Sequence, residues 1–468
     1  MRLLSQMLTW AITIVVIRLL SPSDYGLLAM ATVFMSILIM LAEAGLGAAL
    51  IQALEVDELK LRRIFGATIL IDVGLFMLQI AAAPLIAGFF EEDRLVAIIR
   101  VLALQLLIMI FGVIPGALLN RRLDFKRQSL IALASAVCGG LSTLGLALSG
   151  YGVWALVYGS LIVSLCNTVG MNLVAPFLRW PEFSLKGMRS LIVFGGQLTA
   201  ARLLWLLYSQ ADIFIAGKLL GKDLLGFYSV SMHLASLPVQ KIASVFNQVA
   251  FPAFAQAQHQ PETIPIHMLK GIRMLSFFSF PILWGISGIA PEIVAVLLGS
   301  KWAAAIVPLQ LLPLVMPITL ISTFLNAAFQ GIGQGGVGLM NVFTACLIMP
   351  AAFWIGSKWG LLGLCIAWLV GFPLVFLVNL LRMLPLVGLN LSAVLRAISL
   401  PALATAGMYV CVGIARQLLA VDLPAPVLMA VLIAAGVAGY SMITFATNRS
   451  GVREMVDLFR KENTDGRS

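Results

Sequence analysis

APLIAGFFEEDRLVAIIRVLAL, residues Ala83–Leu104, is the stretch that decides the fold. Two apolar runs meet at a short polar break, Glu91-Glu92-Asp93-Arg94, and both continue outward for roughly the 20 residues that a bilayer crossing needs. The rest of the chain is built the same way. Its 468 residues are 61% hydrophobic and 11% charged, with a mean hydropathy of +1.04. A soluble domain carries roughly 45–50% apolar and about 25% charged residues, so the polar material here cannot cover a water-facing surface. This excludes soluble enzymes, secreted modules and peripheral proteins, and predicts an integral membrane protein.

Apolar runs between polar breaks give about 14 segments, at 3–20, 25–51, 64–90, 95–119, 129–149, 154–178, 191–216, 227–250, 271–298, 303–330, 336–355, 361–381, 397–419 and 425–446. Each is predicted helical, because a backbone in hydrocarbon must satisfy its hydrogen bonds internally and none of these runs alternates like a barrel strand. With both termini cytoplasmic, 20 of the 30 lysines and arginines fall on the cytoplasmic side and 8 on the other. That is the bias the positive-inside rule requires. The net charge of +10 is then mostly topology and gives no reason to expect nucleic acid. Trp154, Trp180, Trp302 and Trp359 stand at span ends, where an aromatic belt is expected. The five cysteines (Cys138, Cys166, Cys346, Cys365, Cys411) lie in apolar runs without C-x-x-C spacing, which predicts packing residues and no metal or disulfide framework. No cofactor is expected. The first apolar run lacks an A-x-A-like end, which argues against a cleavable signal peptide.

The opening stretch has a second copy. At an offset of 207 it lies over APEIVAVLLGSKWAAAIVPLQL (Ala290–Leu311), matching Ala83/Ala290, Pro84/Pro291, Ile86/Ile293, Arg94/Lys301, Ile99/Ile306, Leu102/Leu309 and Leu104/Leu311. At an offset of 200, IRLLSPSDYGLLAMA (Ile17–Ala31) lies over GKLLGKDLLGFYSVS (Gly217–Ser231), matching Leu19/Leu219, Leu20/Leu220, Gly26/Gly226 and the bases Arg18/Lys218. An even number of spans separates the copies, so the halves share one orientation and are predicted to be related by an axis along the membrane normal. The expected architecture is an all-α integral membrane protein of about 14 helices. It has two parallel six-helix lobes at 1–185 and 186–385, two extra C-terminal spans within 386–446, and a cytoplasmic tail at 447–468. Pro84 and Pro291 are matched breaks of the kind rocking lobes use, although proline is also common in membrane helices that do not move.

The segment RLLSPSDYGLLAMATVF followed by AEAGLGAALIQ (Arg18–Gln52) resembles the start of bacterial Wzx-type oligosaccharide flippases. It is most similar to the WzxC-like exporters of the multidrug/oligosaccharidyl-lipid/polysaccharide exporter superfamily. PGALLNRRLDFKR (Pro115–Arg127), the long stretch from Phe194 to Gln256 and APEIVAVLLGSKW (Ala290–Trp302) carry the same resemblance. It implies movement of an undecaprenyl-diphosphate-linked sugar repeat unit from the cytoplasmic to the periplasmic leaflet of the inner membrane, by alternating access, for exopolysaccharide or lipopolysaccharide biosynthesis. It also implies membrane lipids and other polysaccharide assembly proteins as partners. Similar proteins carry a longer, basic lead before the first span, so the resemblance raises the expectation of a late start at Met1-Arg2-Leu3.

Such a cargo sets the chemistry to look for. Sugar hydroxyls and a diphosphate cannot cross hydrocarbon unaided, because each unpaired polar group costs several kcal/mol and a charge more. Cations inside spans are the candidates for the diphosphate: Arg202 first, whose planar fork bonds two oxygens at once, then Lys241 and Arg100. Lys241 reads equally as half of an interhelical ion pair, and Arg100 as a side chain snorkelling outward. Glu43, Asp72 and Asp212 are the intramembrane acids, candidates for ion coupling, although Asp212 reads first as a structural pair of Arg18 or Lys218. The amides Gln52, Gln197, Gln210, Asn247, Gln248, Asn326 and Gln330 are candidates to line a sugar path or to bond between helices. One rival is a cation-coupled multidrug exporter of the same superfamily, which the resemblance implies would have 12 spans and acidic cavities. The other is a membrane glycosyltransferase or polymerase, which would require a D-x-D-like metal site or a long periplasmic loop. The longest internal connection, about residues 251–270, offers only His259, His267 and Glu262.

Overall fold

A computed structural model describes residues 2–43, 50, 57–184, 203–419 and 423–447. Among them every regular element is a helix. The first are α1 (Arg2–Leu19), α2 (Pro22–Glu43), α3 (Glu58–Phe90), α4 (Arg94–Arg121), α5 (Phe125–Leu148) and α6 (Val153–Val174). They are followed by α7 (Ala211–Ala257), α8 (Ile264–Gly288), α9 (Ile306–Gly331), α10 (Gly335–Gly356), α11 (Gly360–Met383), α12 (Leu391–Leu419) and α13 (Ala425–Thr447). Eleven segments of the described residues are long and apolar enough to span a bilayer. Two of these, Leu203–Ser244 and Gly335–Val387, each hold a pair of crossings, the first bent at Gly221 and the second turned at Ser357–Trp359. With α1 they account for the expected span count, and the protein is an all-α membrane protein.

Local chemistry sets the helix ends. Ser21 and Asp24 form a reciprocal capping box at the start of α2, with the Asp24 carboxylate accepting from the Ser21 N–H at 2.9 Å and the Ser21 hydroxyl accepting from the Asp24 N–H at 3.2 Å. Asp57 caps α3 by accepting from the Lys60 N–H, and Asp124 caps α5 by accepting from the Arg127 N–H.

The chain divides into two compact units, Met1–Gly226 and Phe227–Ser468. In the first, α3 packs on α4, α5 on α6 and α4 on α6, with α1 against α5 and α2 against α4. In the second, α8 packs on α9, α10 on α11 and α9 on α11, while the α12–α13 hairpin joins through α8. The pattern of two hairpins cross-packed through their inner members is the same in both. So is the placement of left-handed residues between helices: Glu91 and Gly299, Leu123 and Gly333, Gly152 and Gly360, at offsets of 208, 210 and 208. The sequence repeat therefore has a backbone counterpart.

Within the first unit, the other repeat match becomes a helix crossing. A Cβ on Gly26 would overlap the carbonyl oxygen of Lys222, and a Cβ on Gly226 would overlap that of Pro22. The two contacts exchange under the 200-residue offset, so α2 and the early part of α7 cross in a pseudo-twofold manner that only missing side chains permit.

The seventh and eighth runs meet at Gly221, whose φ of 77° and ψ of 176° are not helical, so α7 is two helices joined across a kink, as the two apolar runs predict. Two expectations need correction. The long connection expected at 251–270 is mostly helical, because α7 continues to Ala257 across Pro252 and α8 begins at Ile264, leaving His259 on a short turn and His267 within a helix. Trp302 is not part of a belt. It is fully buried, edge-on to Phe227 at 5.9 Å, whereas Trp180 is 85% exposed.

Candidate functional site

Three features of the two units bear on function. The first is an apolar groove in the second unit, about 580 Å³, between α8, α12 and α13. Phe277, Pro281 and Gly285 of α8 face Met408 and Val412 of α12 and Val437 of α13 across it. Tyr440 spends its hydroxyl on the Phe277 carbonyl at 2.8 Å, so the groove keeps a hydrocarbon wall. The volume falls in the range of about 300–1,000 Å³ typical of small-molecule sites. The floor is the core of Ile289, Val412, Leu428 and Leu432. At the far end Arg416 of α12 bonds Glu292 bidentately, at 2.8 and 2.7 Å, and also donates to the Gly288 carbonyl, which fastens the C-terminal hairpin to the unit.

The second feature is a polar cluster on α9, α10 and α11. Arg382 donates from Nη2 to the Thr344 hydroxyl at 3.1 Å and from Nη1 to the Asn341 Oδ1 at 3.5 Å. Asn341 in turn donates to the Asn326 Oδ1 at 2.8 Å. Asn379, one turn before Arg382 on α11, is buried with its Oδ1 unpartnered among the described residues. The sequence points to Asn326, whereas Arg382 stands just past the 361–381 run and reads there as one of the cytoplasmic loop charges. The available signal was Asn379 and Arg382 on one helix face, with Asn341 and Thr344 at the same spacing on the preceding span.

The third is an ion-pair cluster at the α3–α4 turn of the first unit. Lys218 donates to Glu91 at 2.7 Å, Lys222 pairs with Glu92, and Arg94 donates to Glu92 at 2.8 Å. Glu91 is held below the usual carboxylate range by the hydrogen bond and charge of Lys218. Glu92 is brought down to about 2, chiefly by the hydrogen bond from Arg94 and, against the opposing effect of burial, by Lys222.

The other sequence candidates are dispersed. Arg202, Gln197 and Gln52 lie outside the described residues, as do the side chains of Glu43, the last residue of α2, and Asn247 on α7. Lys241 and Gln248 are exposed on α7, and Arg100 is exposed on α4. Asp72 on α3 is 1% exposed with its Oδ1 unpartnered among the described residues, and Gln79, two turns further on, is buried in the same condition. Asp212 is buried near the start of α7, its carboxylate accepting from the Ile213 N–H at 2.8 Å. Lys218, one of the two partners foreseen for it, is engaged by Glu91 instead. Gln210 occupies the turn before α7, and Gln330 is exposed near the end of α9. Pro84 lies inside α3, whereas Pro291 opens the short helical turn after Ile289.

An all-α bundle of this kind defines a multi-spanning membrane protein. The fold matches a lipid II flippase, MurJ, in an inward closed conformation with a TM-score of 0.76, at 14% identity over 96% of this chain and 99% of that one. It also matches an inward-facing multidrug resistance transporter of the MATE family with a TM-score of 0.67, at 18% identity over 84% and 96%. The family model for polysaccharide biosynthesis protein matches residues 15–307, and the chain belongs to that family. Its relatives include the teichuronic acid biosynthesis protein TuaB of Bacillus subtilis, 29% identical over 87% of this chain and 85% of that one. The lipopolysaccharide biosynthesis protein WzxC of Escherichia coli is 25% identical over 78% and 74%. The succinoglycan biosynthesis transport protein ExoT of Rhizobium meliloti is 27% identical over 68% and 65%. The chain is accordingly a multi-pass protein of the bacterial inner membrane.

Proposed function

We propose that this protein is a flippase that carries an oligosaccharide linked to undecaprenyl diphosphate from the cytoplasmic to the periplasmic leaflet, by alternating access of two lobes. The groove between α8, α12 and α13 carries this reading. A lipid-linked sugar needs a hydrocarbon slot for its tail beside a wet path for its head group, and the groove supplies a hydrocarbon slot between one helix of the repeat and the two helices beyond it. The relative ExoT, a succinoglycan biosynthesis transport protein, and the lipid II flippase MurJ agree with a cargo of this class. We further propose that both termini are cytoplasmic and that the lobes divide near residue 185. Arg202, Lys241 and Arg100 are proposed to meet the diphosphate, with Gln197, Gln210, Asn247, Gln248 and Asn326 along the sugar path. No chemistry of bond making is proposed for the chain.

A multidrug exporter is the weaker reading. Residues 293–421 contain five basic side chains and no aspartate or glutamate, so this third of the chain offers no carboxylate to a cationic drug. The deciding experiment expresses the chain in a flippase-null strain and scores surface polysaccharide. Wild type is expected to restore it, and Arg202→Ala or Lys241→Ala to lower it by about ten-fold, the worth of one charge-assisted phosphate contact. Failure to restore polysaccharide in every pathway tried, together with lowered intracellular drug levels, sinks the proposal. Coupling to an ion gradient through Glu43, Asp72 or Asp212 predicts that transport in vesicles stops when proton and sodium gradients are collapsed.

A further inference from the structure

We infer that Arg382 and the amides around it form a binding site for the phosphate of a lipid head group. A guanidinium is always charged and offers five N–H donors. Two of them are directed at Asn341 and Thr344, and both acceptors are neutral. Arg382 is only half exposed, and a cation in that position calls for a counter-charge. Its own stretch of chain has none to give, since no acidic residue occurs from 293 to 421. Glu292, immediately before that stretch, is engaged by Arg416. Among the described residues no carboxylate reaches Arg382.

The cluster is built from three helices and braced by Asn326, so the guanidinium is positioned rather than free to swing. The other N–H donors of Arg382 have no partner among the described residues, and phosphate oxygens would accept from them. Glycerophosphate and sugar-phosphate head groups carry such oxygens. Met340, Phe343 and Leu381 stand exposed beside these residues on the same two helices, an apolar rim that suits acyl or prenyl chains better than free phosphate.

The phosphate has two sources, a phospholipid of the bilayer or the polyprenyl diphosphate carrier; the second rests on the transport reading above, the first does not. The test uses full-length protein purified in detergent and native mass spectrometry, with phosphatidylglycerol, undecaprenyl diphosphate and inorganic phosphate offered separately. Wild type and Arg396→Gln, an exposed arginine elsewhere, are expected to retain a phosphate lipid. Arg382→Gln is expected to retain at least about ten-fold less, as loss of a charge-assisted contact implies. Preference for phosphatidylglycerol identifies a bilayer lipid site, and preference for undecaprenyl diphosphate identifies a carrier site; either supports the inference. Equal retention by wild type and Arg382→Gln, or binding of inorganic phosphate alone, overturns it. Should Arg382→Gln fail to fold, a photoreactive phosphatidylglycerol on the unmodified protein decides the matter. Adducts within 339–344 or 379–386 support the site, and adducts confined to other segments overturn it.

Discussion

At the scale of single residues, the crossing of α2 with early α7 makes a sharp prediction. Gly26→Ala and Gly226→Ala each drive a methyl into a backbone carbonyl, which cannot rotate away as a side chain would. Overpacking of this kind costs about 1–3 kcal/mol, read as a lower midpoint of thermal unfolding in detergent. Gly145→Ala on α5, where a Cβ meets nothing, is the control and is expected to be neutral or mildly stabilising. Glu92 gives a pH prediction. Its folded-state carboxyl lies near 2 against an ordinary 4.5, so its stabilising effect is complete above about pH 4.5 and is lost as the pH falls toward 2. Between those limits the unfolding midpoint of wild type is expected to drop faster than that of Glu92→Gln. A parallel decline in both proteins would remove Glu92 from that role. The glycine pair was legible in the sequence because self-comparison aligns identical letters. Arg382 was not, because a charge near a span end reads as a loop charge until the partners on neighbouring helices are known.

At the scale of elements, most of the spans could be read from hydropathy, since lipid-facing and core-facing residues are both apolar and the runs end where charges begin. What hydropathy could not reveal was how short a break can be. The GKLLGKD sequence is polar enough to suggest a loop of several residues, yet the helical backbone is interrupted only at Gly221, whose positive φ kinks the chain between two helical stretches. Trp302 misled for a related reason. Position near a span end suggests the interface, but the π and 3-10 turns between α8 and α9 fold that segment inward. The fastening of α12 by Arg416 carries a prediction of its own. Arg416→Met leaves Glu292 as a buried, unpaired carboxylate and should cost about 3 kcal/mol, the low end for a buried pair because the arginine is partly exposed. The double variant Arg416→Met with Glu292→Leu should recover most of that loss. A double variant as unstable as the single one would mean that the hydrogen bond to the Gly288 carbonyl, and not the ion pair, holds the hairpin.

At the scale of the whole molecule, the duplication visible in two short matches extends to helix packing and to the left-handed turns. The part of the chain outside the duplication closes the groove against one helix of the repeat. α12 and α13 contribute Met408, Val412, Leu432 and Gly436 to it, and only α8 comes from the repeated half. A groove made this way gives the added helices a task distinct from that of the repeated ones, and that task can be separated from folding. A Cβ at Gly285 reaches only the Met408 methyl, at 3.9 Å, so the position has room for a larger side chain directed into the groove. Gly285→Leu is therefore expected to fold, with an unfolding midpoint within a few degrees of wild type, while taking up space that a prenyl chain would occupy. If the groove holds the tail of the cargo, surface polysaccharide in the complemented strain falls about ten-fold, since displacing even two buried methylenes at about 0.8 kcal/mol each is worth that factor. Gly285→Ala, which fills far less, should transport nearly as wild type. Full transport by a well-folded Gly285→Leu would move the tail out of the groove and leave α12 and α13 a purely structural role.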